Sequence, residues 1–199
     1  NSGNSYGFYA NDKGTDNQIS QNAPSYFCTG EWRVPNSSGD WSFTNIYHLN
    51  FFFANVLSRF GEDLNGSGNT ISGDLKSIRH YIGELYTLRA LEYFKRYQAF
   101  GDYPIVTDPL TDNMEILTDA AKRSPRNEVA RFILSDLDKA AILMDGKDFQ
   151  TTRINRDVAL LLKSRVALFE ATWLKYFKGS AFVPNGEGWP GKTKEYNAN

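Results

Sequence analysis

The side chains best suited to noncovalent recognition lie close together between residues 24 and 40. This segment contains Tyr26, Trp32, Arg33 and Asn36 and shows no sustained helical pattern. Indole and phenol rings stack on the apolar C–H faces of sugar rings, and planar polar groups such as those of Asn and Arg can bond two adjacent hydroxyls at once. The segment therefore favours a carbohydrate contact. The structural alternative is that Trp32 covers the end of a helix array.

The sequence shows no comparable pattern for covalent catalysis. It contains no G-x-S-x-G nucleophile elbow and no Gly-rich loop leading to Lys-Ser/Thr. The 23 acidic residues could include an acid/base pair for glycosidic cleavage, but nothing singles out two of them. We therefore expect a protein that is not an enzyme and needs no cofactor, and a glycoside hydrolase is the weaker alternative.

Metal and nucleic-acid sites are also disfavoured. His48 and His80 lie on different predicted helices, and the single cysteine, Cys28, cannot form an internal disulfide or a multi-cysteine zinc site. Residues 11–17 resemble a calcium loop, but Gly14 stands where the second oxygen ligand should be. With 22 basic and 23 acidic residues, the chain has a net charge of −1. This balance excludes the basic stripe that a nucleic-acid-binding protein needs.

The elements that must position these side chains are mostly helical. Apolar residues recur at spacings of three and four, which predicts amphipathic helices in two pairs, at about 41–100 and 124–178. The first helix is expected to end at Gly61. The second begins after an Asp74 N-cap and runs to about Phe100.

The second pair has its own boundary signals. Ser124 is predicted to cap the third helix, with Pro125 at the first helical position, where its missing N–H costs nothing. The fourth helix is expected to begin near Asn155 and to be closed by Gly179. Trp173 lies on the apolar face of this helix and is predicted to be a core residue.

Three parts make up the expected domain organisation. Residues 1–40 form an irregular, loop-rich segment, residues 41–178 a tetratricopeptide-like helical domain, and residues 179–199 a loop-rich tail that leads to a missing carboxy-terminal part. Residues 102–122 form a connector with a strand-like stretch at 105–107. The predicted fold class is all-α, with helix pairs in an α-α superhelix, long irregular loops and little strand. Because fewer than three repeats rarely bury a continuous core, we expect further chain or another segment to cover an apolar face.

Several segments, taken in order, carry a resemblance to a known family. They are residues 41–47 (WSFTNIY) with Asn55, 82–90 (IGELYTLRA) with Tyr93 and Phe94, 100–106 (FGDYPIV), 126–129 (RNEV), 133–140 (ILSDLDKA), and 153–155 (RIN) with Ala159, Leu162 and Arg165. Each string is weak alone, but their combined order and spacing resemble the SusD/RagB family over residues 41–178.

The resemblance implies the amino-terminal helical part of a non-catalytic glycan-binding lipoprotein on the Gram-negative cell surface. Such a protein captures an oligosaccharide or polysaccharide and delivers it to a TonB-dependent, SusC-like outer-membrane transporter. Its only membrane attachment would be a lipid on a cysteine upstream of this chain. By position, the resemblance implies that Trp32, Asn36, Arg33 and Tyr26 contact the ligand. A helical-repeat scaffold for protein interactions remains an alternative.

Two charged residues in the second helix have a structural interpretation. Glu84 and Arg89 lie on a helix that must pack on both sides. We therefore expect an ion pair between helices, because a charge buried without a partner would be strongly destabilising, and a ligand role for either residue is the alternative.

Overall fold

The computed structural model describes residues 41–61, 63–146 and 152–193. The chain divides into two compact units, Asn1–Ser42 and Phe43–Asn199, and every described helix belongs to the second. The helices are α1 (Thr44–Phe60), α2 (Leu75–Phe100), α3 (Met114–Ala120), α4 (Arg126–Leu143), α5 (Arg156–Tyr176) and a short 3₁₀ helix (Pro190–Thr193). The only β-pairing within the described ranges is an isolated antiparallel bridge, so the predicted all-α class is confirmed. None of the described helices is both long and apolar enough to cross a lipid bilayer.

The first helix pair follows its sequence signals closely. The backbone of Gly61 has a φ of 105°, a conformation that glycine adopts readily, and α1 ends there. The Asp74 carboxylate accepts a hydrogen bond from the Ser77 N–H and caps α2. Gly101, with a φ of 69°, follows the last residue of α2. The predicted bounds of α2 are therefore confirmed.

The predicted start of α4 is wrong by one residue. Pro125 has a ψ of 147°, which is extended, so it occupies the cap position and the helix begins at Arg126. Ser124 lies one residue before the cap position and does not cap the helix, and its backbone pairs with that of Tyr103. Asp102 supplies the missing acceptor, and its Oδ1 lies 2.8 Å from the Arg126 backbone nitrogen.

Three details of the other connections also differ from the sequence prediction. The stretch 105–107 forms no strand, because Val106 is held instead by the Tyr93 hydroxyl, which accepts from its N–H at 2.8 Å and donates to its carbonyl at 2.9 Å. The connector contains α3, whose seven residues are too few to show a helical period. At the far end, α5 is capped by Phe177, two residues before Gly179.

The core lies around α2, which contacts α1, α4 and α5, most extensively α4, and α4 also packs on α5. Gly83 allows the close approach of α2 and α4, since a Cβ at this position would lie 2.5 Å from Cγ of Met144. Among the fully buried side chains are Ile82, Tyr93, Ile133, Leu137 and Val166.

The ion pair predicted between helices is present at Arg89, whereas the partner of Glu84 lies outside the helices. The guanidinium of Arg89 donates to both oxygens of Asp136 on α4, at 2.7 and 2.9 Å, and to Oδ1 of Asn50 on α1 at 3.1 Å. Glu84 pairs with Arg153, in the segment that precedes α5. Arg89, Asp136 and Asn50 are all buried, so the ion pair and the hydrogen bond to Asn50 together link three helices in the centre of the fold.

Candidate functional site

The four ligand contacts expected from the sequence, Tyr26, Trp32, Arg33 and Asn36, lie outside the described residues. Their role stays a prediction. A different part of the chain provides a candidate site whose geometry is described.

A pocket of about 470 Å³ opens where α2 ends and α4 begins. Its size falls in the range of small-molecule sites, roughly 300–1,000 Å³. Five aromatic side chains line it: Tyr97, Phe100, Trp173, Phe182 and Trp189. Three charged side chains join them: Asp102, Arg123 and Arg126. The pocket thus combines apolar ring surface with convergent polar groups, which is typical of a ligand site.

Asp102 fixes one wall of the pocket. One carboxylate oxygen accepts from the Arg126 backbone N–H, and the other accepts from Nε1 of Trp189 at 3.0 Å. Trp189 is buried, so its ring is held in place although it follows the last α-helix by more than ten residues. A single carboxylate therefore joins the end of α2, the start of α4 and the segment after α5.

Arg126 forms the floor of the pocket between two aromatic rings. Its guanidinium carbon lies 4.6 Å from the centre of the Tyr97 ring and 4.2 Å from that of Trp173. Its Nε and Nη2 donate to Oε2 of Glu170 at 3.2 and 3.1 Å, and Nη2 also donates to the Tyr97 hydroxyl. The Tyr97 hydroxyl itself donates to Glu170. The network orients Arg126, on α4, by contacts from α2 and α5.

Trp173 corrects the sequence prediction that it is a core residue. It is half-buried, and its ring forms part of the pocket wall beside Arg126. Its Nε1 donates to the Phe182 carbonyl at 3.1 Å. The helical period correctly placed Trp173 on the packed side of α5, but it could not show that this side reaches the edge of the core there.

Burial shifts the pKa values of Glu170 and Arg126. Burial raises the pKa of Glu170 to about 7. Burial also lowers the pKa of Arg126 to about 10, while the nearby Asp102 charge acts in the opposite direction. At neutral pH Arg126 is therefore charged and Glu170 is only partly ionised.

In the described ranges no three His, Cys, Asp or Glu side chains are grouped to hold a metal ion.

Comparisons with known proteins agree on one family. No family model matches the chain. SusD-like protein P2 of Formosa agariphila is 27% identical over 117 residues, which are 59% of this chain and 23% of the relative. The solved structure of a SusD-like protein from Bacteroides fragilis NCTC 9343 superposes with a TM-score of 0.50 at 28% identity, covering 67% of this chain and 23% of that chain. This chain therefore resembles SusD-like proteins in sequence and in fold.

A second solved structure, of a SusD superfamily protein from the same Bacteroides strain, has a TM-score of 0.49 at 24% identity over 65% of this chain and 24% of that chain. The SusD-like match spans about a quarter of the length of each of these proteins.

Two of the segments that carry the SusD-like resemblance also build the pocket. Residues 100–106 contribute Phe100 and Asp102, and residues 126–129 contribute Arg126. The sequence alone does not connect these two segments, because they come together only in the tertiary fold, through the Tyr103–Ser124 bridge and the Asp102–Arg126 hydrogen bond. The local sequence signal for the pocket was an acidic residue just after α2, Asp102, and an arginine at the start of α4, Arg126. Trp189 had no signal beyond its residue type, since it lies in a tail rich in Gly and Pro.

Proposed function

We propose that this SusD-like chain is part of a non-catalytic surface protein that captures an oligosaccharide or polysaccharide for a TonB-dependent, SusC-like outer-membrane transporter. The observation that carries the proposal is the likeness to SusD-like proteins, 27% identity over 117 residues and a TM-score of 0.50. In this proposal the whole protein is held at the cell surface by a lipid on a cysteine upstream of the chain.

The pocket supports glycan capture by its chemistry. Phe182 lines the pocket and is 62% exposed, so its ring offers a face for stacking on a sugar, whereas the Trp173 ring is already packed against Arg126 and Phe177. Arg126 and Asp102 stand beside them and can bond hydroxyl groups. Binding of this kind needs no nucleophile and no acid/base pair, so the ligand is held and released without chemical change. The predicted contacts of Trp32 and its neighbours would add a second stacking surface.

A glycan-array screen of the intact protein tests the proposal. We expect binding to at least one oligosaccharide without release of reducing ends. Trp32→Ala and Phe182→Leu each remove one stacking surface and should weaken binding about two- to tenfold, the range of an aromatic contact worth about 0.5–1.5 kcal/mol. Tyr176→Ala is the matched control, because Tyr176 is 75% exposed and does not line the pocket.

Two results would count against this function. Cleavage of a polysaccharide by the purified intact protein would make it a glycosidase. Absence of binding to every glycan on the array would remove the capture step.

Delivery is tested separately by co-expression with the cognate transporter, and we expect the two proteins to purify together in detergent. If they separate, the transporter part of the proposal is wrong.

One observation favours a protein-interaction scaffold as the second candidate. Leu161 and Leu168 of α5 are 74% and 66% exposed, and adjacent exposed apolar residues are common in protein-binding surfaces. A scaffold would bind a partner chain and show no change in tryptophan fluorescence with any sugar. A glycan binder should show such a change, because two of its tryptophans line the pocket.

A further inference from the structure

The side chains around the pocket hold one another in a closed ring. Nε1 of Trp173 donates to the Phe182 carbonyl at 3.1 Å. Nε1 of Trp189 donates to one oxygen of Asp102 at 3.0 Å, and the other oxygen accepts from the Arg126 backbone N–H. The Arg126 guanidinium carbon in turn lies 4.2 Å from the centre of the Trp173 ring. Since all of these residues line the pocket, its walls are fixed by the fold before any ligand enters.

The pocket is closed at its floor and open on one side. Only 3% of the Arg126 surface and 4% of the Trp189 surface are exposed. Phe182 is 62% exposed, and Gln98 and Ala99 are exposed as well, so these three lining residues form the mouth. A glycan chain that passed through the pocket would need a second opening, and the buried floor provides none within the described part of the chain.

The size of the pocket also limits how much of a glycan it can hold. Its volume of about 470 Å³ lies in the lower half of the range for small-molecule sites, roughly 300–1,000 Å³. It can therefore enclose about one or two sugar units, and the rest of a longer chain must lie outside.

One donor of Arg126 is available at the floor. Its Nε and Nη2 are engaged by Glu170 and the Tyr97 hydroxyl, whereas among the described residues no oxygen accepts a hydrogen bond from Nη1. A terminal sugar keeps a hydroxyl group that an internal unit uses for its second linkage. The oxygen of such a hydroxyl can accept from the guanidinium, and hydrogen bonds from a charged donor are stronger than those between neutral groups.

We propose that this pocket binds a terminal sugar, at a chain end or a side branch, and excludes the interior of a glycan chain. The proposal rests on the glycan-binding function above and specifies the part of the ligand that is recognised. A terminal sugar has a single glycosidic linkage, so it can enter with free hydroxyls toward Arg126 while the linkage leaves through the mouth. Its apolar face would stack on Phe182. An internal unit has linkages on two sides, and the floor would block one of them.

The dependence of affinity on ligand length tests this inference. Calorimetric titration uses linear neutral oligosaccharides of one to six units from the glucose, galactose, mannose and xylose series. The intact wild-type protein is compared with Trp32→Ala, which removes the predicted second contact. In a series that binds, we expect the affinity of Trp32→Ala protein to rise up to about two units and then to stay level, because further units lie outside the pocket.

Two further ligands of the series that binds best distinguish a chain end from a branch. A linear and a singly branched hexasaccharide are compared, and tighter binding of the branched one, well beyond the statistical gain of one extra end, identifies the branch. Otherwise the chain end is the ligand. Borohydride reduction opens the sugar ring at the reducing end, so binding that survives this treatment assigns the opposite end.

An alanine pair connects the binding to the pocket. Ala99 is exposed at the mouth, so Ala99→Trp should fold normally, narrow the opening and lower the affinity for the terminal sugar severalfold. Ala54→Trp is the matched control, since Ala54 is an exposed alanine of α1 that does not line the pocket. Circular dichroism and the unfolding midpoint verify that each variant is folded.

The possible outcomes separate the two proposals. An affinity that keeps rising to six units in Trp32→Ala protein overturns recognition of a terminal sugar, while glycan capture stands. Unchanged affinity in folded Ala99→Trp protein also overturns the inference, because the sugar would then bind elsewhere. Absence of binding to any glycan overturns both proposals.

Discussion

At the scale of single residues, two buried arginines have different roles in this fold. Arg89 is fully engaged by Asp136 and Asn50 and lies 4.5 Å from the centre of the Phe53 ring, so its role is structural. Arg126 is equally buried but keeps a donor toward a pocket. The distinction depends on whether all donors have partners, and it does not depend on burial alone.

Arg89→Leu should lower the free energy of unfolding by about 3–5 kcal/mol, because it leaves the Asp136 carboxylate buried without its cation. Urea denaturation followed by circular dichroism measures the change. Arg131→Leu, at an exposed position of α4, should change stability by less than about 0.5 kcal/mol. We expect the glycan affinity of folded Arg89→Leu protein to equal that of the wild type. A cost below about 1 kcal/mol would contradict the structural role of the pair.

Glu170 should make stability depend on pH. Burial raises its pKa to about 7 from an ordinary value of 4.5, so the folded chain holds this proton more tightly than the unfolded chain does. The contribution of Glu170 to stability is therefore complete below about pH 4.5 and is lost as the pH rises through about 7. Urea midpoints at a series of pH values between 5 and 8 should fall less steeply for Glu170→Gln than for the wild type. Glu115→Gln, in exposed α3, should keep the wild-type slope.

At the scale of elements, the close packing of α2 on α4 depends on one missing side chain. A Cβ on Gly83 would lie 2.5 Å from Cγ of Met144 and 3.2 Å from the Ala140 carbonyl oxygen. We expect Gly83→Ala to destabilise the fold by about 1–3 kcal/mol through overpacking, although alanine favours a helix by about 1 kcal/mol over glycine. Thermal unfolding measures it. Gly146→Ala is the control, because a Cβ there meets nothing within 4 Å, and a stabilised Gly83→Ala protein would show that the two helices separate easily.

Helix positions were largely predictable, because the long helices have strong local signals. Asp74 and Gly101 define the ends of α2 through their own backbone and side-chain chemistry. The start of α4 was misplaced because its capping acceptor, Asp102, lies 24 residues earlier in the sequence. α3 was missed because none of its residues is buried, so it leaves no apolar period in the sequence.

At the scale of the whole molecule, α5 is packed on one side only. Ala159 and Val166 are its buried residues, whereas Leu161 and Leu168 are exposed. The apolar face that the sequence led us to expect is therefore present among the described residues. The pocket could not be predicted in this way, since it joins residues from Tyr97 to Pro190 that only the tertiary fold brings together.

A leucine pair tests this one-sided packing. Leu161→Ala should change the free energy of unfolding by less than about 0.5 kcal/mol, because the side chain is 74% exposed. Leu137→Ala, at a leucine with no exposed surface, should cost about 2–5 kcal/mol. Denaturant titration of both variants measures the difference. A cost above about 1 kcal/mol for Leu161→Ala would mean that other chain covers α5.

The bridge between Tyr103 and Ser124 has a consequence for how the chain tolerates insertions. The polypeptide leaves the helix array and returns to it at one point, and Val106 is already secured by Tyr93. Between Val106 and Ser124 the chain contains α3 and no buried residue, and Thr111 is exposed. The entropic cost of closing a loop grows slowly with its length, by about 0.6 kcal/mol for each doubling. An epitope tag inserted after Thr111 should therefore be exposed to solvent and leave the packing of the helices intact.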